Sequence, residues 1–244
     1  RDSRGGRSVF DRRDDPEDPE PELESVADLC VQRCQERRIN DRICALLQAR
    51  PAPRRLGDDL TVKWVVGGNA AHLSEAGLPT RDSQILVTNG AGQALYLVIR
   101  ALLRRGGSAM VELPTYPSAL DTFRAADIRL VYAPVTASGW DIPLMQATFA
   151  RAQPDLAYLV PDFQNPTGAL IAEADREAML MAAMAADCHV VVDQTFFDVR
   201  FVGSPPPRVV AQIADDPRVL TVGSMSKAFR GGLRFGVVRG APTP

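Results

Sequence analysis

The sequence predicts an α/β fold, a three-layer α/β/α sandwich built on a mainly parallel sheet. Two observations predict it. From Gln84 onward, short apolar runs of strand type alternate with stretches of helical type. Such alternation builds a parallel sheet covered by helices on both faces. In addition, the residues able to do chemistry fall directly after the apolar runs, where ligands bind in sheets of this kind.

The elements follow in order. Residues 1–23 are charged and rich in proline, too polar to offset the entropy of ordering, and are expected to be disordered. Residues 24–68 read as a helical segment and linker. Val26, Leu29, Val31, Ile39, Ile43 and Leu47 are apolar points along residues 24–50, and the linker is Pro51 to Asp59. The domain proper is expected over residues 69–244. Within it Ile85–Thr88 is followed by a helix over Gln93–Leu103, and Ala109–Glu112 by one over Ser118–Ala126. Ile128–Tyr132 leads to Pro143–Arg151, and Leu156–Val160 to Glu173–Ala186. Val190–Asp193, Val219–Val222 and Phe235–Val238 complete the strands.

Composition bounds what the chain does. Its 244 residues are 45% apolar and 24% charged, which allows a packed core. A net charge of -2 gives the chain as a whole no electrostatic case for nucleic acid. No apolar run reaches membrane-spanning length, and Arg1 to Arg13 lack the apolar core of a signal peptide. A cytoplasmic location is therefore expected. The four cysteines form no Cys-x-x-Cys pair, so neither a disulfide framework nor a zinc set is predicted. Cys30 and Cys34 share a helix face, and Cys188 reads as a small core residue.

The most informative stretch is Gly223-Ser224-Met225-Ser226-Lys227, after the apolar run Val219 to Val222 and ahead of Arg234. An amine held beside hydroxyls and a guanidinium suits covalent bonding to an aldehyde that also carries a phosphate. Pyridoxal 5'-phosphate has that shape. Lys227 would form a Schiff base with the aldehyde, while Ser224, Ser226 and Arg234 bind the phosphate. A solvated lysine in a Ser/Gly loop is the plain alternative for this stretch alone.

Four further turns point the same way. Thr88-Asn89-Gly90-Ala91-Gly92 opens a helix, where small residues and the helix dipole favour an anion. Tyr116, held between Pro114 and Pro117, could stack on a flat ring or simply plug the sheet end. Asn165, in Gln164-Asn165-Pro166-Thr167-Gly168, could bond the phenolic oxygen of a pyridoxal ring or satisfy its own backbone. Asp193 ends an all-apolar strand, where a carboxylate is costly unless paired. It would keep a pyridine nitrogen protonated, and the alternative is a turn cap.

Together these strings resemble the large domain of fold-type I pyridoxal phosphate enzymes, the class I/II aminotransferases, over roughly residues 69–240. The wording of His72-Leu73-Ser74-Glu75-Ala76-Gly77-Leu78-Pro79, Pro114-Thr115-Tyr116-Pro117, Gln164 to Gly168, Ser224 to Lys227 and Gly232-Leu233-Arg234 is closest to the aminotransferase-like domain of MocR-type regulators. The resemblance implies transfer of an amino group between an amino acid and a 2-oxo acid. It makes Lys227 the attachment point and proton shuttle, Asp193 the partner of the pyridine nitrogen and Asn165 the partner of the phenolate. Tyr116 stacks on the ring, and Ala91, Gly92, Ser224, Ser226 and Arg234 hold the phosphate. It also implies a homodimer if intact, no membrane association, and nucleic-acid contact only through a DNA-binding domain outside this chain.

Three departures qualify what is implied. The family's tyrosine three residues after the aspartate is Phe196 here, which cannot donate to the phenolate. The family's small domain, with its substrate-binding arginine, would follow Pro244. Residues 1–68 match neither the family's substrate segment nor a winged helix. The chain is accordingly expected to be a fragment. The alternatives to a working transaminase are the effector domain of a MocR-type regulator and an inactive truncated remnant.

Overall fold

A computed structural model describes residues 60–136, 138–198, 216–228 and 235–240. The expected tail, the helical stretch 24–50, the linker and Arg234 lie outside the described residues. Chain order runs α1 (Leu60–Glu75), a 3-10 turn (Asp82–Gln84), β1 (Ile85–Thr88), α2 (Ala91–Leu102), β2 (Ser108–Leu113) and α3 (Pro117–Ala125). It continues with β3 (Arg129–Thr136), β4 (Gly139–Trp140), α4 (Ile142–Ala152), β5 (Leu156–Leu159) and α5 (Glu173–Ala185). Next come β6 (His189–Asp193), β7 (Val219–Ser224), α6 (Met225–Ala228) and β8 (Gly236–Arg239).

The strands form one sheet in the order β1-β8-β7-β6-β5-β2-β3-β4. Strands β7, β6, β5, β2 and β3 run parallel. Strand β8 is antiparallel to both its neighbours, and β4 pairs antiparallel with the end of β3. The carboxyl ends of β1, β2, β5, β6 and β7 therefore share one edge, and that edge carries the site.

Side chains alternate between two cores. Leu156 and Tyr158 of β5, with Val160 just after it, pack with Ala94, Val98 and Phe123 of α2 and α3. Ala157 and Leu159 pack on the opposite face with Met145, Phe149, Met179 and Leu180 of α4 and α5. This period-2 alternation in a strand buried on both sides explains why the sequence reads as continuous apolar runs. The α/β sandwich with a mainly parallel sheet is thus the observed architecture.

Two elements differ from the sequence expectation. Helix α1 runs through the expected boundary between residues 68 and 69, and its Val66 joins the same core as Ile85 and Leu86. Gly67-Gly68 in mid-helix is a poor helix signal, overridden here by packing against β1. The two-residue β4 is too short to carry a periodic pattern. Elsewhere boundaries shift by a residue or two, except that β3 extends to Thr136. Cys188 is fully buried, and burial pushes its thiol up to about 12, which suits an inert core residue. Among the described residues no helix is long and apolar enough to cross a membrane.

Candidate active site

Five turns at the carboxyl edge enclose a cavity of about 400 Å³. Ala91, Gly92, Tyr116, Asn165, Asp193, Ser224, Ser226 and Lys227 all line it. Every expected site residue that the structure describes is therefore brought to one place, while Arg234 lies outside the described residues.

Each turn is shaped by local chemistry. Helix α2 starts on Gly90, with φ 83, and no side chain caps it. The Gln93 side chain reaches back instead and accepts from the Asn89 amide at 2.6 Å. The first-turn N–H groups of Ala91 and Gly92 thus lack a capping oxygen and border the cavity. Gly236 of β8 makes this placement possible. A Cβ at Gly236 would sit 2.7 Å from the Ala91 amide nitrogen, so only glycine lets the turn lie against the strand.

Asp193 is 8% exposed. Its Oδ2 accepts from the Tyr158 hydroxyl at 2.5 Å, and its Oδ1 accepts from the Thr195 amide at 2.8 Å. The expected turn cap is therefore present, yet Asp193 also lines the cavity. Two accepted bonds leave a carboxylate with further lone pairs for a donor there. Tyr158 is held in turn by the edge of Phe123, with ring centroids 6.1 Å apart. Burial first, and then the Asp193 charge, push the Tyr158 phenol well above its ordinary range, so it stays a donor.

Lys227 stands on the short helical turn after β7 and is exposed to the cavity. Its Nζ lies over the Phe196 ring, 5.5 Å from the centroid, a cation–π distance. The Ser224 hydroxyl accepts from the Ser226 amide at 3.2 Å, which closes the turn preceding the lysine.

Sequence reasoning passed over two members of the site. Tyr158 is one. Glu112, buried at 0% exposure beneath the edge, is the other. Its Oε1 accepts from Trp140 Nε1 at 2.9 Å and from the Val160 amide at 3.1 Å, and its Oε2 accepts from Gln164 Nε2 at 3.2 Å. Burial raises its pKa to about 7, against those hydrogen bonds and aided by the Asp193 charge. The signal was available, because Glu112 interrupts an apolar strand as Asp193 does. Nearby, the fully buried Arg176–Asp162 pair at 2.8 Å anchors α5 to the start of the turn carrying Asn165.

An amine, a carboxylate, an amide, an aromatic face and uncapped N–H groups around one cavity fit a planar, nitrogen-containing aldehyde bearing a phosphate. Residues 70–242 match the family model for aminotransferase class I and II. The chain belongs to that family. Among curated relatives, the chain is 33% identical to the 2-aminoadipate transaminase of Thermus thermophilus over 156 residues, 63% of this chain and 39% of that protein. It is 30% identical over 175 residues to YisV, an uncharacterized HTH-type transcriptional regulator of Bacillus subtilis, covering 72% of this chain and 36% of that protein. Among solved structures, LysN of Thermus thermophilus, an α-aminoadipate aminotransferase complexed with N-(5'-phosphopyridoxyl)-L-leucine, aligns with TM-score 0.67 and 26% identity, over 92% of this chain and 54% of that one. Kynurenine aminotransferase of Pyrococcus horikoshii gives the same TM-score of 0.67 at 24% identity, over 92% of this chain and 54% of that one, and bears on the fold alone. The chain spans less than half the length of these curated relatives.

Proposed function

We propose that this chain is the cofactor-binding part of a pyridoxal phosphate-dependent aminotransferase, moving an amino group between an amino acid and a 2-oxo acid. The observation that carries the reading is the convergence of Lys227, Asp193, Asn165, Tyr116 and the Ala91–Gly92 amides on one cavity. Pyridoxal phosphate supplies an aldehyde for covalent attachment and an electron-withdrawing ring.

The chain's own residues do the rest. Lys227 would provide the attaching amine, and its Nζ would move the proton at the substrate α-carbon. Asp193, held between Tyr158 and Thr195, would keep a ring nitrogen protonated. Asn165 would donate to the phenolic oxygen, and Tyr116 would cover a ring face. The Ala91 and Gly92 amides with the Ser224 and Ser226 hydroxyls would bind the phosphate. Arg234 belongs to that set by its motif.

Phe196 favours a second reading. It places a ring without a hydroxyl against Lys227, which removes one donor to the phenolic oxygen. Together with the likeness to YisV, it supports an effector domain that binds the cofactor or its amino-acid adduct without turnover. A cytoplasmic location goes with either reading. So does a homodimer, for which Leu113 at the end of β2 and Leu170 after β5, exposed at 47 and 46%, offer apolar surface.

The test is a visible absorption titration with pyridoxal phosphate, comparing the parent with Lys227→Ala. The parent should develop the band of covalently bound cofactor, and the variant should not. A parent without the band overturns the proposal. Release of a 2-oxo acid on adding amino acids then separates transaminase from effector domain.

A further inference from the structure

Tyr116 and Asn165 sit on separate turns, after β2 and after β5. What joins the two turns lies beneath the cavity. Glu112 Oε2 accepts from Gln164 Nε2 at 3.2 Å, and that same Nε2 donates to the Pro114 carbonyl at 2.6 Å. Gln164 Oε1 accepts from the Thr167 amide at 3.0 Å and from its hydroxyl at 2.7 Å. Gln164 thus closes its own turn around Asn165 and grips the turn that leads to Tyr116. Glu112 and Gln164 are 0% and 1% exposed.

We propose that Glu112 is a positioning residue that acts through Gln164 to lock the Tyr116 turn to the Asn165 turn, fixing the gap between ring-stacking and hydrogen-bonding groups.

The chemistry at Glu112 explains why an acid is needed. All three of its partners are donors: an indole N–H, a backbone N–H and a side-chain amide. Ionised, above about pH 7, the Glu112 carboxylate meets three donors with two oxygens and no hydrogen of its own. A glutamine of the same shape has one acceptor oxygen and turns an NH2 group toward a donor. The Trp140 and Val160 bonds hold one oxygen from the sheet side, which leaves the second aimed at Gln164. Only the consequence for cofactor affinity rests on the reading of the cavity as a pyridoxal phosphate site. The link between the turns does not.

The experiment pairs hydrogen–deuterium exchange of the ligand-free full chain with pyridoxal phosphate affinity, both at pH 8 where Glu112 is ionised, in Glu112→Gln, Gln164→Leu and the double variant. Phe149→Leu, a core change on α4 with no bond to Glu112 or Gln164, serves as a control that spares both turns. In Glu112→Gln, amides of residues 113–118 and of 161–169 should both exchange about tenfold faster, on the scale of one lost charge-assisted hydrogen bond, while α2 keeps the parent rate. Gln164→Leu should reproduce this, and the double variant should add little beyond either single change. Cofactor affinity should fall by about tenfold in each case, with loss of induced circular dichroism. Phe149→Leu should lower the melting temperature and leave both turns at parent rates.

Loosening confined to 161–169, or spread over the whole domain in proportion to lost stability with unchanged affinity, overturns the proposal. If Glu112→Gln does not fold, Gln164→Leu decides by the same two readouts. A parent that binds no pyridoxal phosphate defeats the functional reading, and the exchange pattern still decides whether the turns are linked.

Discussion

The ends of β2 and β6 each place one carboxylate at the same edge of the sheet, and the two acids are used in opposite ways. Asp193 accepts from two groups of fixed position and keeps lone pairs toward the cavity it lines. Glu112 spends both oxygens on donors inside the protein and is sealed from solvent. The difference teaches that an acid ending an apolar strand is not by itself a ligand group. What its oxygens face decides whether it meets a ligand or holds the frame.

Three changes break or sharpen this contrast. The largest effect is expected for Asp193→Asn. Pyridoxal phosphate affinity should fall about 100-fold, as when one member of a buried charged pair is removed, with a melting temperature close to the parent's. Fluorescence titration with the cofactor measures it, and a fall of only about tenfold, the size expected for Glu112→Gln, would place Asp193 with Glu112 as a frame residue.

Next comes the pH dependence of stability. Folded Glu112 keeps its proton up to about pH 7, against an ordinary value of 4.5. The folded chain therefore binds more protons than the unfolded one across that window, and stability falls as pH rises through it. The contribution is about 3 kcal/mol. Denaturant unfolding at pH 5 and pH 8 should show this slope in the parent and a shallower one in Glu112→Gln. The charged and ionisable groups facing Glu112, Asp193 and Tyr158, are common to both proteins.

The smallest effect is expected for Tyr158→Phe. It removes the donor to Asp193 Oδ2 and leaves the Thr195 amide on Oδ1. Affinity should fall about fivefold, the worth of about 1 kcal/mol. An effect as large as that of Asp193→Asn would mean that Asp193 is useless unless Tyr158 aims it.

Much of this was legible in the sequence. The strands from Ile85 to Val222 lie where the apolar runs place them, because strands buried on both faces leave no polar alternation to misread. The cavity-lining turns were also legible, since Gly90, Pro117 and Asn165-Pro166 mark chain reversals at strand ends. Helix α1 was not, because Gly67 and Gly68 weaken its local signal and only its docking on β1 reveals it. Tyr158 and Glu112 escaped for another reason. Glu112 does show as an acid interrupting an apolar run, but what each of the two faces depends on contacts with residues 35 and 48 positions away, which no local pattern carries. Phe196 shows in the sequence only as a missing hydroxyl, whereas its ring against Lys227 needed coordinates.

Gly236 has a consequence for the order in which the protein is made. The amide cup at Gly90–Ala91 rests on β8, a strand that emerges from the ribosome about 145 residues after the cup itself. At synthesis rates of about 5–20 residues per second, the first phosphate-facing turn waits on the order of ten seconds for its backing. A nascent chain that has not reached Gly236 presents the loop without the floor, so the cup is shaped only after β8 has emerged.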